Sequence, residues 1–273
     1  MHNNAQIRAW SMIIVHFREG VNMLTPQRKK KILELLAAQG QVLSKPLSEQ
    51  FAVSEDTIRR DLRELAAEGL LQRVHGGALP VSPALATFAE RKHLALDSKQ
   101  RIARKAAECI MPGQVVLIDG GTTTSELVKC LPRDLRITVV THSPGIALGL
   151  IDHPHIEVVL LGGRLYKHSV VTVGAPTLEG LAKVHADLCF LGVTGVHVEA
   201  GLTTGDYEES CIKRAMAARA AETIVMASPE KINSASPWAI GDISLVNTLV
   251  VSRDTDEALL SPFEAQGITV VRG

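Results

Sequence analysis

The sequence predicts an α/β protein with a small N-terminal winged helix-turn-helix domain and a larger Rossmann-like domain built on a mostly parallel β-sheet. Two observations carry this prediction. Three helical patterns and a glycine-rich turn follow one another within residues 25–77. From residue 115 onward, short runs of β-branched residues alternate with amphipathic helical stretches, which is typical of parallel strands covered on both faces.

The bulk composition fits two ordinary globular domains. The chain has 273 residues, and domains commonly hold about 100–200 residues. Its formal net charge is zero, so affinity for DNA has to come from a local patch. The four cysteines lack CxxC spacing, and we expect neither a metal nor a cofactor. No apolar stretch reaches the roughly 18–20 residues that span a bilayer, so we expect a cytoplasmic protein without a membrane contact.

Residues 1–22 are predicted as an N-terminal extension. The first clean helical pattern begins directly after Met23, and an over-extended start is an alternative to a native segment. The short apolar run Ser11–Val15 is followed by charged residues without a small-residue cleavage site, which argues against a secretory signal.

Residues 23–80 are predicted as the winged helix-turn-helix domain, with the helix-turn-helix itself at about residues 42–61. A first helix ends at Gly40, because glycine tolerates the backbone conformation that terminates a helix. Ser44 is predicted to cap a second, short helix that runs to Phe51.

The third helix is predicted to begin after Ser54, whose hydroxyl can cap it, and to stop at Gly69. Its apolar residues recur with helical spacing and predict a buried stripe: Ile58, Leu62 and Leu65. The run Leu70–Val74 and the pair Gly76-Gly77 predict a strand and the turn of a wing.

A basic face on the third helix is the candidate DNA-binding surface. At about 100° per residue, Arg60 and Arg63 lie opposite the apolar stripe, with Arg59 and Thr57 on its flanks. A major groove admits one helix, and arginines there can pair with guanine edges or phosphates. Further contacts are predicted for Lys45, Ser54, Arg73 and His75, and phosphate contacts also for Arg28, Lys29, Lys30 and Lys31. The alternative is a solvated charged face, since residues 23–80 carry a net charge of only +2.

Residues 81–97 are predicted as a linker, because they contain prolines and little periodicity, and residues 98–273 as an effector-sensing α/β domain. Seven apolar runs of the latter are predicted as strands: Val115–Ile118, Ile137–Val140, Val158–Leu161, Leu188–Val193, Thr223–Met226, Thr248–Val251 and Ile268–Val271.

A glycine- and threonine-rich turn is the candidate ligand site. The segment Asp119-Gly120-Gly121-Thr122-Thr123-Thr124 follows the first of these strands and precedes a helix predicted at Ser125–Cys130. Such a turn presents backbone N–H groups, hydroxyls and the positive end of a helix dipole, which together suit a phosphate. It is neither a Walker loop nor a GxGxxG fingerprint, and the alternative is that glycine and threonine serve only the geometry of the turn.

Two further turns and three charged side chains are predicted at the same edge of the sheet. The turns are Thr141-His142-Ser143 and Gly162-Gly163, and the side chains are Glu209, Lys213 and Lys231. Ligands of open α/β sheets bind at the carboxyl ends of the strands. A lysine can neutralise a phosphate there, whereas a lysine considered alone is more often solvated.

The N-terminal domain closely resembles the DeoR family of bacterial repressors. The matching residues are Val53-Ser54, Thr57-Ile58-Arg59-Arg60-Asp61-Leu62, Gly69, Arg73 and His75-Gly76-Gly77-Ala78. The resemblance implies that these positions recognise operator DNA, with Arg59 and Arg60 central to recognition.

The C-terminal half resembles the sugar-phosphate-sensing domain of DeoR-type regulators, which is similar in fold to ribose-5-phosphate isomerase and glucosamine-6-phosphate deaminase. Matching elements include Lys99, Asp119, Gly121-Thr122-Thr123, Leu161-Gly162-Gly163, Phe190-Leu191-Gly192, Lys213-Arg214 and Lys231. Two departures leave the ligand open. His142 stands where the family usually has asparagine, and the family's Asp-x-x-Lys-Phe reads Ser228-Pro229-Glu230-Lys231-Ile232, which loses a carboxylate and an aromatic side chain.

These features predict a repressor of a carbohydrate-metabolism operon that binds double-stranded operator DNA as a homodimer or homotetramer. The resemblance implies that a small phosphorylated effector modulates its DNA affinity, and we expect no enzymatic activity. Two alternatives stay open. One is a sugar-phosphate isomerase or deaminase in which Asp119, Glu209 or His142 acts as a general base. The other is a constitutive architectural DNA-binding protein.

Overall fold

The described part of the chain, residues 23–273 of this computed structural model, begins with three helices and a small sheet. The predicted extension at residues 1–22 lies outside the described residues. The elements are α1 (Thr25–Gln39), β1 (Val42–Leu43), α2 (Ser44–Phe51), α3 (Glu55–Ala67), β2 (Gln72–Val74) and β3 (Gly77–Leu79). The three predicted helices are confirmed, and their apolar faces pack into one small core: Ile32, Leu36, Leu47, Phe51, Ile58, Leu62 and Leu65.

The ends of these helices follow from their capping residues, with one correction. Gly40 ends α1 in the left-handed conformation, with φ of 73°. Ser54 caps α3, and its Oγ accepts a hydrogen bond from the backbone N–H of Thr57 at 3.2 Å. Ser44 is predicted to cap α2, and this prediction is wrong: Ser44 is the first residue of α2. Its backbone N–H donates to the carbonyl of Gly76, because β1 runs directly into the helix while pairing with the wing.

The wing is an antiparallel sheet in the order β1, β3, β2. At Gly77 the neighbouring backbone approaches so closely that a Cβ atom would lie 2.0 Å from the carbonyl oxygen of Val42. Only glycine fits this position, which explains one member of the glycine pair. Gly76 has a positive φ of 76°, which explains the other.

A buried ion pair ties α1 to α3. The guanidinium of Arg28 donates to the carboxylate of Asp61 through Nε at 2.5 Å and through a terminal nitrogen at 3.0 Å. Both residues are buried, with 5% and 1% of their surface exposed. The prediction that Arg28 contacts phosphates is therefore wrong in this structure, because helical spacing placed it among solvated neighbours and could not reveal its partner 33 residues away.

The segment predicted as a linker contains regular structure. It forms a short 3-10 helix, Pro83–Leu85, and the helix α4 (Phe88–Arg91), after which α5 (Leu96–Ala107) begins. Thr87 and Glu90 form a reciprocal capping box at the start of α4. Such four-residue elements carry too little periodicity to be predicted from an apolar pattern.

The large domain is built on a seven-stranded sheet, in which all neighbouring strands are parallel. Every predicted run forms one of its strands, and the predicted fold class is confirmed. In chain order the strands are β4 (Val115–Ile118), β5 (Ile137–Thr141), β6 (Ile156–Leu160), β9 (Ala186–Leu191), β12 (Ala220–Ala227), β14 (Thr248–Val251) and β15 (Thr269–Arg272). Their order across the sheet is β15, β14, β12, β9, β4, β5, β6.

Helices cover both faces of this sheet, and the large domain also contains two small, separate antiparallel sheets. The helices are α6 (Thr122–Lys129), α7 (Pro144–Gly149), α8 (Ala175–Leu181), α9 (Tyr207–Ala217) and α10 (Glu257–Glu264). The additional strands are β7 (Arg164–Tyr166), β8 (Val171–Val173), β10 (Gly195–His197), β11 (Gly201–Thr204) and β13 (Trp238–Gly241). Alternate residues of each strand point into two apolar cores, so that Leu117 joins one and Ile118 the other.

The strand order reverses between β4 and β9. The chain proceeds from β4 to β5 and β6 on one side and then returns to β9 on the other side. In open α/β sheets the crevice at such a reversal, outside the carboxyl ends of the two strands, is where ligands bind. The glycine- and threonine-rich turn follows β4 directly, so the topology places it at this crevice.

Candidate functional site

The predicted DNA-binding residues lie at the surface of the small domain. Seven are exposed, and the eighth, Thr57, is half-buried; the exposed ones are Lys45, Ser54, Arg59, Arg60, Arg63, Arg73 and His75. They belong to α2, to α3 with its cap, and to the wing. Their function as DNA contacts stays a prediction.

The arginines of α3 differ in their partners. Arg59 pairs with Glu55 at 2.8 Å on its own helix. Within residues 23–273, Arg60 and Arg63 have no carboxylate within 4 Å. An exposed pair contributes only about 0–1 kcal/mol, so Arg59 can exchange its carboxylate for a phosphate at little cost. The hydroxyls of Ser54 and Thr57 contact each other at 2.9 Å and hold the start of the helix.

A cavity opens at the reversal between β4 and β9. Its volume is about 780 Å³, a figure that includes the open solvent at its mouth. It brings together eight of the predicted ligand residues: Gly120, Gly121, Thr122, Thr123, Thr124, Glu209, Lys213 and Lys231.

The turn after β4 presents the start of a helix to this cavity. Helix α6 begins at Thr122, three residues earlier than predicted, so Thr122, Thr123 and Thr124 form its first turn. The N–H groups of a first turn have no partner within the helix, and they carry the positive end of its dipole. A Cβ atom at Gly120 would lie 2.2 Å from the side chain of Val171, so glycine is required for this turn to pack against β8.

Besides Lys213, which pairs with Asp119, three basic side chains line the same cavity: Arg91, Lys99 and Lys231. Lys231 has 7% of its surface exposed, and its Nζ lies 3.4 Å from the hydroxyl of Thr123. Burial lowers the pKa of Lys231 to about 7. Burial also lowers the pKa of Lys99, whose Nζ donates to the carbonyl of Arg91 at 2.6 Å. Within residues 23–273, none of the three has a carboxylate within 4 Å.

Two of these basic residues were not predicted as ligand residues. Lys99 entered only as part of the family resemblance, and Arg91 lies in the segment interpreted as a linker. The capping box of Thr87 and Glu90 is the one local signal that could have placed Arg91 on a helix.

Asp119 lies beneath the cavity rather than in its lining, and it is fully buried. Its Oδ1 accepts from the N–H of Gly120 at 2.7 Å and from Nε2 of His142 at 2.8 Å. Its Oδ2 accepts from the N–H of Gly192 at 2.7 Å and from Nζ of Lys213 at 2.5 Å. Burial alone would raise the pKa of Asp119, but the charge of Lys213 and the hydrogen bond from His142 lower it to about 2.

His142 is also buried, and its two ring nitrogens face acceptors. Nδ1 lies 2.8 Å from the carbonyl oxygen of Thr172, and Nε2 lies 2.8 Å from Asp119. Both partners are hydrogen-bond acceptors, and together they hold the ring in a fixed orientation. His142 and Lys213 thus share the carboxylate of Asp119, with Glu209 as a second acid 3.9 Å from Lys213.

The remaining predicted ligand residues do not line the cavity. Thr141, His142 and Ser143 are buried next to it, where Thr141 donates to the carbonyl of Ile118 and Ser143 caps α7. Gly162 and Gly163 are exposed after β6. The prediction that this glycine pair lines the ligand site is wrong in this structure. The pair follows β6, which is the edge strand and lies two strands away from the crevice.

Glu209 brings a carboxylate to the cavity. It lies in the first turn of α9, which Asp206 caps, and its Oε2 accepts from the hydroxyl of Ser169 at 3.1 Å. A carboxylate in this position can accept hydrogen bonds from ligand hydroxyls, whereas the basic residues and the start of α6 suit an anion. The cavity is therefore chemically two-sided.

Two negative observations concern the described residues alone. None of the helices within residues 23–273 combines the length and the apolarity that crossing a bilayer requires. The same residues contain no group of three histidine, cysteine, aspartate or glutamate side chains arranged to hold a metal ion.

A winged helix-turn-helix with an exposed arginine helix, joined to an α/β domain with a polar cavity, defines a DNA-binding regulator with a sensor domain. The chain belongs to the DeoR family of transcriptional regulators. Residues 28–84 match the DeoR-like helix-turn-helix domain, and residues 95–253 match the DeoR C terminal sensor domain.

Relatives agree over nearly the whole chain. The HTH-type transcriptional regulator GlpR of Haloferax volcanii is 36% identical over 254 residues, covering 92% of this chain and 99% of that protein. The glycerol-3-phosphate regulon repressor of Escherichia coli is 34% identical, covering 83% of this chain and 90% of that protein. Among solved structures, ribose 5-phosphate isomerase A from Methanocaldococcus jannaschii matches with a TM-score of 0.36 and 17% identity, covering 50% of this chain and 54% of that one. So distant a likeness carries no argument about function.

Proposed function

We propose that this regulator represses a carbohydrate-metabolism operon and that a small phosphorylated ligand, bound in the cavity, changes its affinity for the operator. The main support is the cavity itself. The start of α6 and three basic side chains face one space, and within residues 23–273 no carboxylate pairs with these cations. Cations that are withdrawn from water without a paired carboxylate are costly, and an anionic ligand offsets that cost.

The proposed ligand carries a phosphate and at least one hydroxyl. Its phosphate occupies the basic side, near Thr122 and Lys231, and its hydroxyls approach Glu209. Glycerol 3-phosphate is the first compound to test, because a relative at 34% identity is named a glycerol-3-phosphate regulon repressor.

On the DNA side, α3 enters the major groove and the wing contacts the neighbouring backbone. Operators with two half-sites require two such helices, so we propose a homodimer or homotetramer acting in the cytoplasm. Ligand binding relieves repression with a coupling of about 1–3 kcal/mol between the two sites.

We also propose that the protein is not an enzyme. Asp119 and His142 are sealed beneath the cavity, and the low pKa of Asp119 makes it a poor base. Glu209 and Glu230 line the cavity, but Ser169 and Lys213 already engage Glu209, and Ser228 donates to Glu230. Conversion of an aldose phosphate to its ketose isomer by the purified protein would overturn this part of the proposal.

Arg60→Ala is expected to weaken binding to the operator by about 1–3 kcal/mol, since one arginine contact to a base carries that much discrimination. The measurement is a gel-shift titration on the DNA upstream of the gene. Arg104→Ala, an exposed arginine on α5, serves as the matched control. Unchanged operator affinity in Arg60→Ala would remove α3 from the interface.

Thr122→Val is expected to leave operator affinity unchanged and to weaken the ligand response by about tenfold or more. It removes a hydroxyl from the first turn of α6 while keeping the shape of the side chain, and hydrogen bonds to charged groups contribute about 1.5–3 kcal/mol. The readout is the concentration of glycerol 3-phosphate that releases half of the DNA. Thr269→Val on the exposed edge strand β15 is the control, and an undiminished response in Thr122→Val contradicts the phosphate site.

Ligand affinity is expected to fall as the pH rises from 7 to 8.5. Lys231 is protonated below its pKa of about 7 and neutral above it, and an anionic ligand favours the protonated form. The phosphate itself, with a second pKa of about 6, is already a dianion in this range. Calorimetry in two buffers measures the proton uptake on binding, and Lys231→Met should abolish it. Equal uptake in the variant would exclude Lys231 as the source.

A further inference from the structure

The segment between the two domains forms one wall of the ligand cavity. The wing strand β3 ends at Leu79, and three residues later Ser82 is already buried in the large domain. The hydroxyl of Ser82 donates to the carbonyl of Thr194, itself a cavity residue. The 3-10 helix Pro83–Leu85 and helix α4 then pass along the cavity. A short, anchored piece of chain therefore joins the wing to the cavity wall.

Arg91 contributes a side chain with an unmet hydrogen-bonding group to this wall. Its Nε is buried and has no partner within residues 23–273, and a terminal nitrogen reaches only the hydroxyl of Ser169 at 3.4 Å. Burial lowers the pKa of Arg91, which reflects the cost of holding this cation away from water. Arg91 as a whole is half-buried, and a guanidinium partly withdrawn from water requires an anion or several acceptors to offset that cost.

The backbone around Arg91 is held firmly, in contrast to its guanidinium. Nζ of Lys99 donates to the carbonyl of Arg91 at 2.6 Å. The N–H of Phe88 donates to the carbonyl of His168 at 3.0 Å, which attaches the start of α4 to the large domain. The backbone of α4 thus fixes the place at which the side chain of Arg91 enters the cavity.

We propose that Arg91 binds the phosphate of the effector, so that the interdomain segment is itself part of the ligand site. This inference rests on the proposed function of the cavity. A guanidinium pairs with a phosphate through two parallel hydrogen bonds, a geometry that lysine cannot supply. A bound phosphate joins α4 to the start of α6, and through Ser82 it also restrains the base of the wing. Ligand occupancy and wing position are thereby linked through a few residues of chain.

Calorimetric titration with inorganic phosphate and with glycerol 3-phosphate tests the role of Arg91. Arg91→Gln is expected to weaken the affinity for each of the two anions by at least about tenfold, because it loses a charge-assisted hydrogen bond. Arg91→Lys keeps the charge but cannot form two parallel hydrogen bonds, so its affinity should lie between those of Arg91→Gln and the wild type. Arg104→Gln should bind like the wild type. Circular dichroism and thermal melts check that each variant is folded.

The outcomes separate this inference from the proposed function. If the wild type binds these anions and Arg91→Gln binds them equally well, Arg91 is not a ligand residue, although the cavity keeps its proposed function. If the wild type binds neither anion, both proposals fail.

Hydrogen exchange distinguishes a ligand contact from a merely structural role. In the wild type, glycerol 3-phosphate should slow exchange of the amide of Phe88 by about tenfold or more, because the ligand fixes α4. In Arg91→Gln this ligand-induced slowing should vanish even at saturating ligand. A variant that changes exchange only in the ligand-free protein, and keeps the ligand-induced slowing, would assign Arg91 to structure and overturn the proposal.

Discussion

Replacing Asp119 by alanine is expected to lower the free energy of unfolding of the large domain by about 3–5 kcal/mol. The carboxylate accepts four hydrogen bonds, one of them from the ring of His142, and balances the buried ammonium group of Lys213. Without it, the ammonium group of Lys213 stays buried without this carboxylate, and His142 and the N–H groups of Gly120 and Gly192 lose their acceptor. Urea unfolding followed by circular dichroism measures the loss.

The environment of Asp119 also sets the sign of its pH dependence. Its pKa is about 2 in the folded protein, below its ordinary value of 3.8. The stability it contributes is therefore fully present above about pH 4 and is lost as the pH falls through 2. This acid-dependent component should be missing in Asp119→Ala.

Two variants control for an unspecific effect. Asp134→Ala, in an exposed turn, should change stability little. The pair Asp119→Leu with Lys213→Met removes opposite charges together and should be less destabilised than either single variant. If Asp119→Ala lowers the free energy of unfolding by less than about 1 kcal/mol, water reaches this carboxylate. The hydrogen bonds around Asp119 would then contribute little to the stability of the large domain.

The seven strands of the large domain could be predicted from the sequence because burial on both faces makes each of them a short apolar run between amphipathic helices. The strand order could not be predicted in the same way, and it decides which turns share a crevice. The turn at Gly120 follows a central strand beside the reversal, whereas Gly162 follows the edge strand β6. The two turns look alike in sequence, but only the first lines the cavity.

Buried charges were the other limit of sequence reasoning. Arg28 stands in a run of basic residues, which predicts a solvated side chain. Arg91 stands in a segment without clear periodicity, which predicts no particular role for it. Their burial depends on partners far along the chain: Asp61 for Arg28, and the cavity wall with Ser169 for Arg91. Local spacing carries no information about such partners, whereas it sufficed to place Arg60 on the exposed face of α3.

Asp61→Ala is expected to destabilise the small domain by about 3–5 kcal/mol, because it leaves the guanidinium of Arg28 buried without its carboxylate. Asp61 lies on α3 between the exposed Arg60 and Arg63, but it points inward and fixes the helix to α1. The variant should therefore lose operator binding although no proposed DNA contact is removed. Hydrogen exchange of the α3 amides measures the stability, and a gel shift measures the binding.

Two comparisons distinguish this structural role from a direct contact with DNA. Glu64→Ala removes a half-exposed carboxylate of the same helix, paired with Lys29 at 2.8 Å, and should leave the exchange rates nearly unchanged. The double variant Arg28→Met with Asp61→Leu replaces the ion pair by apolar side chains and should recover protection and most of the operator affinity. Recovered protection without recovered binding would instead place one of these two charges at the DNA, and the buried geometry of the pair would then have to open when the operator binds.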